Sequence, residues 1–201
     1  MLGILNYGLG NIKAFENIYN SKSIKNKVVS TPDELKKCEK LIIPGVGAFD
    51  KAIEILRNND LIDTLNYLAL DKKIPILGIC VGMQIMAESS EEGDEDGLGW
   101  INAKVKLFED NKELLPVPHM GWNKLLNHKS TPLTEGINNQ YFYFLHSYYF
   151  HCSNEDNIIS RTIYSRNFTS VVSKENIYGV QFHPEKSHDQ GTKLLINFSA
   201  L

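Results

Sequence analysis

A cysteine in a glycine-flanked turn is the residue of this chain with the clearest potential for chemistry. Cys80 lies in the segment Gly78-Ile79-Cys80-Val81-Gly82-Met83-Gln84, directly after the apolar run 74–77. This order predicts a buried strand, a sharp turn through small residues and then a helix, which together form a nucleophile elbow. Amide groups at the start of that helix would favour a thiolate. Buried cysteines are also commonly inert small hydrophobic residues, so the motif alone leaves catalysis and packing equally open.

A histidine and a glutamate supply the two partners that a cysteine nucleophile needs. The apolar run 179–182 ends in His183-Pro184-Glu185. Side chains two residues apart in an extended segment point the same way, so Glu185 can hold one nitrogen of His183 while the other faces a thiol. Pro184 cannot continue a central strand, which places the segment at the rim of a sheet. The residue types predict a Cys-His-Glu triad, and a surface turn without chemistry is the alternative.

The first half of the chain predicts strands that alternate with helices. Its short apolar runs, which have the composition of strands, lie at residues 3–6, 28–29, 41–43 and 74–77. Between them, apolar residues recur at helical spacing, with Asn11 as the predicted cap of the first helix and Asp60 as the cap of a helix that starts at Leu61. Such alternation indicates βαβ crossovers and a parallel sheet with helices on both faces, whose ligands bind beyond the carboxyl ends of the strands.

The second half predicts strands that follow one another closely. These runs are divided by turn residues and lie at residues 105–107, 141–145, 158–159, 170–172 and 179–182. Their spacing indicates antiparallel pairs added to the parallel sheet. The acidic, glycine-rich stretch 88–99 is predicted to be a solvated loop. The expected fold class is therefore α/β: a flavodoxin-like three-layer sandwich around a mostly parallel, mixed sheet, with antiparallel additions in the C-terminal half.

Length, charge and cysteine content narrow the classes of function. The chain has 201 residues, of which 42% are hydrophobic, and a formal net charge of -3, which predicts one domain over residues 1–201. Its basic residues do not cluster and no apolar run has membrane-spanning length, so neither nucleic acid nor a membrane is expected as a ligand. Three widely spaced cysteines indicate reduced thiols and a cytoplasmic location. The histidines lack zinc-ligand spacing, and no metal or cofactor is expected.

Together, the two chemical motifs resemble those of the class I (triad-type) glutamine amidotransferases over nearly the whole chain. Four further motifs resemble those of HisH, the glutaminase subunit of imidazole glycerol phosphate synthases. These motifs are Asn6 to Asn11, Pro44 to Phe49, Pro118 to Asn123 and His146 to Tyr149. The resemblance implies the class I amidotransferase fold and hydrolysis of L-glutamine to glutamate and ammonia through a thioester on Cys80. In this reaction His183 would carry protons and Glu185 would hold its imidazole.

The same resemblance assigns the other site residues. The oxyanion hole would be formed by the amide of Val81 and the peptide between Val46 and Gly47. The residues implied to contact the substrate are Gly45, Gln84, Ser147 and Tyr148. Those implied to face a partner or the path of ammonia are Asn11, Pro118, Trp122 and Tyr143. An ordinary strand-to-helix turn explains the glycines at 45 and 47 equally well, and a plain core position is the alternative for the aromatic residues.

Ammonia that reaches water is wasted, and no acceptor module is expected in these 201 residues. The resemblance implies a (β/α)8 barrel cyclase partner (HisF-like) that forms a heterodimer with this chain in histidine biosynthesis. Asn6 stands where the motif usually has aspartate, and Val81 where leucine is common. Partner identity therefore stays open, and an ATP-dependent sugar amidotransferase of surface-glycan biosynthesis is the main alternative. Further alternatives are a stand-alone cysteine hydrolase, which the glutamine-contact motifs disfavour, and a non-catalytic docking subunit, which the intact triad disfavours.

Overall fold

A computed structural model describes residues 1–109, 115–127, 129–137 and 139–201 of the chain. The strands are β1 (Leu2–Leu5), β2 (Asn26–Val29), β3 (Lys40–Gly45), β4 (Ile76–Cys80), β5 (Ser89–Ser90), β6 (Ala103–Leu107), β7 (His119–Lys124), β8 (Leu126–Asn127), β9 (Tyr141–His146), β10 (Tyr148–Cys152), β11 (Ile158–Tyr164), β12 (Arg166–Lys174) and β13 (Ile177–Val180). The α-helices are α1 (Ile12–Ser21), α2 (Pro32–Leu35), α3 (Phe49–Asn58), α4 (Ile62–Asn66), α5 (Val81–Gln84) and α6 (His188–Ala200). A π-helical turn, Tyr67–Asp71, continues α4.

One large sheet contains most of these strands, in the order β2-β1-β3-β4-β13-β12-β10-β6-β5, and β11 and β8 extend it from β12. Strands β2, β1, β3, β4 and β13 pair in parallel. From β12 onward the pairs β13–β12, β12–β10 and β10–β6 are antiparallel. Strands β7 and β9 form a separate antiparallel pair. The predicted α/β fold, with antiparallel strands added from the second half of the chain, is confirmed.

The central strands are apolar because the sheet is covered by other elements. Every residue of β4 and nearly every residue of β3 is buried, as expected for parallel strands with both faces covered. Helices α1 and α6 pack against each other, and the Tyr19 hydroxyl donates a hydrogen bond of 3.1 Å to the Leu195 carbonyl. Helix α3 buries Phe49, Ile53 and Leu56, which confirms its predicted apolar face.

Of the two predicted helix caps, Asn11 lies at the expected position and Asp60 does not. Asn11 occupies the N-cap position of α1, but its side chain makes no capping hydrogen bond to a described residue. Asp60 ends α3 instead of starting α4: its φ of 56° places it in the left-handed region, and Leu61 N donates to Leu56 O at 3.0 Å. A residue in this conformation closes a helix C-terminus. The cap of α4 is Leu61 itself, because the turn out of α3 and the start of α4 follow one another directly.

The stretch 88–99, predicted as a solvated loop, is solvated only in part, because it is tied to the start of α3. The Asp50 carboxylate accepts hydrogen bonds from the backbone of Asp94 and Glu95, at 3.0 and 3.1 Å. The Glu92 carboxylate accepts one from Phe49 N at 2.8 Å. A Cβ at Gly93 would lie 2.0 Å from an Asp50 oxygen, so a glycine is needed for this close approach. These contacts fix the first part of the stretch beside the carboxyl end of β3.

Candidate active site

The predicted elbow is present at the carboxyl end of β4. Cys80 has φ 54° and ψ −110°, a conformation that is strained for a residue with a side chain and is typical of functional turns. Glycines allow the neighbouring backbone to come close: a Cβ at Gly82 would lie 1.9 Å from Ile43 O, and one at Gly45 would lie 2.3 Å from Gly82 N. The elbow therefore presses directly against β3, and Cys80 is held rigidly at its turn.

The helix after the cysteine is shorter than the sequence indicates. Helix α5 has four residues, Val81–Gln84, and the chain then turns so that Leu98 N donates to Ile85 O at 2.7 Å. A single turn has a much smaller dipole than a full helix, since the effect depends on aligned peptide units. The support for a thiolate that was expected from this helix is therefore small, and the positive charge beside the sulfur comes from the histidine described next.

Strand pairing brings the second motif to Cys80. Strand β13 lies parallel to β4, with Val180 opposite Ile79, so His183 emerges at the same edge of the sheet as the cysteine. Nδ1 of His183 is 3.0 Å from Oε1 of Glu185. The segment between them is a 3-10 turn, Pro184–Lys186, and not the extended segment that the sequence argument assumes, yet the two side chains still meet.

The histidine is held firmly from its backbone as well. His183 N donates to Tyr143 O at 2.9 Å, and the Ser187 hydroxyl donates to His183 O at 2.6 Å. The side chains of His183 and Glu185 are 3% and 2% exposed. Glu185 Oε2 is buried and has no hydrogen-bond partner among the described residues. The imidazole is therefore fixed in orientation by a carboxylate that is shielded from bulk solvent.

The electrostatics of the site favour a protonated His183. Burial lowers the pKa of this histidine, but its hydrogen bonds with Cys80 and Glu185 and the charges of both groups outweigh burial and raise the pKa to about 10. His183 therefore holds a proton near neutral pH in the presence of the Cys80 sulfur. A histidine in this state can deliver a proton to a leaving group.

Beside the triad, the end of β3 provides backbone amides. Gly45 pairs in register with Cys80 across β3 and β4, so the following residues, Val46 and Gly47, lie next to the cysteine. Gly47 has φ 94°, which a glycine adopts without strain. Val46, Gly47 and Val81 line the same cavity as Cys80. Gly45 itself packs against Gly82 and is not among the residues that line the cavity, so its contact with substrate stays a prediction.

The cavity over Cys80 has a volume of about 290 Å³. Its lining residues are Val46, Gly47, Cys80, Val81, Gln84, Glu92, Pro118, Leu145, His146, Ser147, Tyr148, His183 and Lys186. The predicted site residues Gln84, Ser147 and Tyr148 are thus brought together with the nucleophile. Gln84 Nε2 donates to Tyr148 O at 3.0 Å and to Gln181 Oε1 at 3.2 Å. The site combines a nucleophile, a base and backbone amides in a pocket of amino-acid size, which suits acyl transfer.

Sequence reasoning missed two charged residues of the cavity, Glu92 and Lys186. Burial raises the pKa of Glu92, while the hydrogen bond from Phe49 N lowers it. Lys186 Nζ lies 5.7 Å from the centre of the Tyr143 ring. Glu92 sits in an acidic stretch in which no local signal distinguishes one carboxylate from another. Lys186 follows the triad glutamate directly in the sequence, and this adjacency was the available clue.

Three of the four residues predicted to face a partner, Pro118, Trp122 and Tyr143, lie on or directly beside the β7–β9 pair. Trp122 is 47% exposed and Met120, on the same strand, is 65% exposed. The Trp122 ring stacks on His188 at 5.1 Å and meets Tyr143 edge-on at 6.1 Å. Pro118 lines the cavity. Asn11 is exposed at the start of α1. The alternative of a plain core position for Trp122 is therefore wrong.

Metal sites, membrane-spanning helices and disulfides can be assessed in the described part of the chain. Within residues 1–109, 115–127, 129–137 and 139–201, no cluster of His, Cys, Asp and Glu could hold a metal ion. None of the helices in this part of the chain has both the length and the apolar character needed to cross a bilayer. All three cysteines are free and buried, as predicted.

Comparison with known proteins gives a consistent result. Residues 4–200 match the model of the family described as glutamine amidotransferase class-I. The imidazole glycerol phosphate synthase subunit HisH of Leptospira interrogans is 48% identical over 204 residues, covering 100% of both chains. HisH of Bdellovibrio bacteriovorus is 46% identical with the same coverage, and the subunit HisH 2 of Pseudomonas aeruginosa is 41% identical over 100% of both chains.

Solved structures share the fold at lower identity. A crystal structure described as a glutamine amidotransferase has a TM-score of 0.77 at 17% identity and covers 100% of this chain and 99% of its own. A chain in the structure of PurLQS from Thermotoga maritima has a TM-score of 0.75 at 16% identity, with 98% of this chain and 96% of its own covered. At these identities the likeness concerns the fold alone.

Proposed function

The chain belongs to the class I glutamine amidotransferase family, within its HisH type, and on that premise we propose that it is the glutaminase subunit of an imidazole glycerol phosphate synthase. It hydrolyses L-glutamine to glutamate and ammonia and delivers the ammonia to a partner protein. The observation that carries this proposal is the convergence of Cys80, His183 and Glu185 on one cavity, in a chain that is 48% identical to a HisH subunit along its full length.

In the first half of the reaction, the Cys80 sulfur attacks the side-chain amide carbon of glutamine after its proton has passed to His183. A carbon–sulfur bond forms, and the amide oxygen takes a negative charge. We assign the backbone N–H groups of Val81 and Gly47, both of which line the cavity, as the hydrogen-bond donors to this oxygen. His183 then gives its proton to the amide nitrogen, and the carbon–nitrogen bond breaks. Ammonia departs, and a γ-glutamyl thioester remains on Cys80.

In the second half, His183 takes a proton from water while the resulting hydroxide adds to the thioester carbon. Collapse of the tetrahedral intermediate breaks the carbon–sulfur bond and releases glutamate. Glu185 holds the Nδ1–H tautomer of His183, which leaves Nε2 free for proton transfer, and its charge stabilises the imidazolium formed in each half. The buried position of the pair strengthens this stabilisation, because the surrounding dielectric is low.

The amino-acid end of the substrate requires an anion for its α-ammonium group. Glu92 is the carboxylate of the cavity lining outside the triad, and its hydrogen bond from Phe49 N fixes its position. Gln84 Nε2 is already engaged with Tyr148 and Gln181, so the carbonyl oxygen of Gln84 is the atom that would meet the substrate. We assign Glu92 to the α-ammonium group, with Gln84, Ser147 and Tyr148 around the same end.

The partner proposed for this chain is a (β/α)8 barrel cyclase in a cytoplasmic heterodimer, with residues 1–201 acting as one glutaminase domain. The exposed aromatic and apolar surface of Met120 and Trp122 lies beside the cavity. Large exposed apolar side chains of this kind are typical of the core of an interface. Docking there would enclose the cavity, so that ammonia passes to the partner and not to water.

Measurement of glutamate release from glutamine tests the proposal. The chain is assayed alone, with the cyclase and its nucleotide ligand, and with an ATP-dependent sugar amidotransferase. We expect slow release by the chain alone, much faster release with the cyclase, and none from Cys80→Ala. Stimulation by the sugar enzyme in place of the cyclase would disprove the role in histidine biosynthesis and leave the glutaminase intact. Absence of release in every mixture would disprove both.

A further inference from the structure

A chain of buried hydrogen bonds connects strand β7 to the nucleophile. Asn123 Nδ2 lies 3.2 Å from His119 Nε2, and His119 Nδ1 lies 3.0 Å from His146 Nε2. His146 Nδ1 lies 2.7 Å from Tyr148 O. Both imidazoles are buried. None of the roles assigned to the triad or to substrate contacts accounts for this pair of histidines.

From Tyr148 O the chain of hydrogen bonds continues through two glutamine side chains. Tyr148 O also accepts from Gln84 Nε2, and Gln84 Nε2 donates in addition to Gln181 Oε1 at 3.2 Å. Gln181 Nε2 donates to the Cys80 sulfur at 3.7 Å. Gln181 is fully buried and lies on the segment that leads from β13 to His183. The sulfur is thus held from one side by an amide whose orientation depends on Gln84.

The directions of these hydrogen bonds follow from one acceptor. Tyr148 O can only accept, so His146 Nδ1 must carry a proton, and Nε2 of a neutral His146 is then an acceptor. His119 must therefore donate from Nδ1 and accept from Asn123 at Nε2. Burial lowers the pKa of His119 to about 4 and that of His146 to about 3, so both rings are neutral near pH 7. Only one arrangement of protons satisfies every member.

We propose that His119, His146 and Gln181 are positioning residues for the Cys80 thiol, and that the hydrogen bond donated by His119 to Nε2 of His146 holds this ring against Tyr148 O, on which the rest of the hydrogen-bonded chain depends. Without the His119 donor, Nε2 of His146 is a buried acceptor that has lost its partner, and the imidazole is no longer held from that side. As the hydrogen bond from His146 to Tyr148 O weakens, the carbonyl loses support from one of the two donors that fix it beside Gln84. The orientation of Gln181 toward the sulfur loosens in consequence.

The structure offers a reason for this arrangement. His119 and Asn123 lie on β7, whose exposed residues Met120 and Trp122 border the cavity. Strand β9, paired with β7, contacts the site a second time, because Leu145 O lies 3.9 Å from the Cys80 sulfur. A shift of the β7–β9 pair would therefore reach the sulfur by two routes. The inference rests on the proposed function only where turnover is measured.

Alkylation of Cys80 by iodoacetamide, followed by mass spectrometry, tests this chain of hydrogen bonds without any substrate. His119→Phe keeps the ring stacking with Tyr164 and removes both hydrogen bonds, whereas His119→Asn keeps a donor near the Nδ1 position. We expect His119→Phe to slow alkylation about threefold to tenfold, the range expected for one hydrogen bond, and His119→Asn to restore most of the rate. Phe168→Leu is the packing control, since Phe168 contacts both rings without a hydrogen bond.

Equal slowing by Phe168→Leu, or no slowing by His119→Phe, would overturn the proposal. Gln181→Met keeps the volume of the side chain and removes the donor to sulfur, so it provides a second test if His119→Phe does not fold: a slower alkylation supports the proposal and an unchanged rate overturns it. With the acceptor partner present, His119→Phe should lower kcat/KM for glutamate release, because the hydrogen-bonded chain passes through Gln84 and Tyr148, which are also assigned to the substrate. A wild-type protein that releases no glutamate would disprove the proposed function. The alkylation rates would still show whether the hydrogen bonds from Asn123 to Gln181 position the Cys80 thiol.

Discussion

Nδ1 of His183 lies 3.0 Å from Oε1 of Glu185, and both side chains are almost completely buried. Their contact stabilises the protonated imidazole, because burial keeps the carboxylate charge unscreened and its second oxygen has no partner among the described residues. The charge and the hydrogen bond of Glu185 both contribute to the raised pKa of His183. The pair thus favours a protonated His183 beside the Cys80 sulfur.

Replacing Glu185 with glutamine removes the charge and keeps the shape. We expect Glu185→Gln to lower kcat for glutamate release by about two to four orders of magnitude, by analogy with loss of the charged member of other triads. Steady-state assays with the partner present give the value. Glu175→Gln is the matched control, since Glu175 pairs with Lys73 at the surface and should leave kcat unchanged. A Glu185→Gln enzyme with wild-type kcat would contradict the role of the pair.

The second prediction is that Cys80 reacts selectively among the three cysteines. Burial raises the pKa of Cys38 and of Cys152, so these thiols stay protonated and unreactive. We expect iodoacetamide to modify Cys80 first and to stop glutamate release in proportion. Peptide mapping after partial modification measures the order, and Cys152→Ala should react like the wild type. Modification of Cys38 before Cys80 would contradict the assignment of the nucleophile.

A substrate contact can be tested at Glu92. If its carboxylate binds the α-ammonium group, Glu92→Gln should raise KM for glutamine about tenfold or more and change kcat much less, because a charge-assisted hydrogen bond is lost in ground and transition state alike. The neighbouring Glu91 accepts from Leu107 N at 2.8 Å and lies outside the cavity lining, so Glu91→Gln is the control. A large fall in kcat at constant KM would instead place Glu92 in the chemical step.

Much of the site could be predicted because its signals are local. The glycines around Cys80 and the proline after His183 are each placed by their own backbone geometry, so the elbow and the strand end were both visible in the sequence. The register between β13 and β4 was not, since it joins segments about 100 residues apart and depends on how the whole sheet assembles. That pairing turns two separate motifs into a triad.

Other features depended on tertiary contacts that no local pattern encodes. Asp60 resembles a helix cap, yet the turn after α3 sets its conformation. Glu92 looks like one solvated acid among several until Phe49 N holds it at the cavity. The Asn123–His119–His146 chain joins residues on β7 and β9, and its hydrogen bonds arise from the pairing of the two strands. The sequence motifs include His119, Asn123 and His146 but do not indicate the hydrogen bonds among them.

Close packing at the elbow gives a prediction about stability. A Cβ at Gly82 would lie 1.9 Å from the carbonyl oxygen of Ile43, which belongs to the backbone and cannot rotate away. We expect Gly82→Ala to lower the free energy of unfolding by about 2 kcal/mol or more through overpacking. Gly47→Ala is the contrast: nothing lies within 4 Å, and the cost comes only from its φ of 94°, about 1 kcal/mol. Urea unfolding of both variants measures the difference, and equal losses would contradict the packing argument.

The buried histidine pair predicts how stability depends on acid. Burial lowers the pKa of His119 to about 4 and that of His146 to about 3 in the folded protein, while an unfolded histidine titrates near about 6.5. Below that pH the unfolded state binds more protons than the folded state. The free energy of unfolding therefore falls as pH is lowered from about 6.5 to about 4, by about 1.4 kcal/mol per pH unit for each histidine.

His119→Phe removes one of these two groups, so its unfolding free energy should fall less steeply over the same range, by the contribution of about one proton. Urea unfolding at several pH values between about 4.5 and 6.5 measures both slopes. Phe168→Leu, which keeps both histidines, should retain the wild-type slope even where its overall stability is lower. Parallel pH profiles for the wild type and His119→Phe would mean that His119 is protonated in the folded protein, and the single arrangement of protons from Asn123 to Tyr148 would then be wrong.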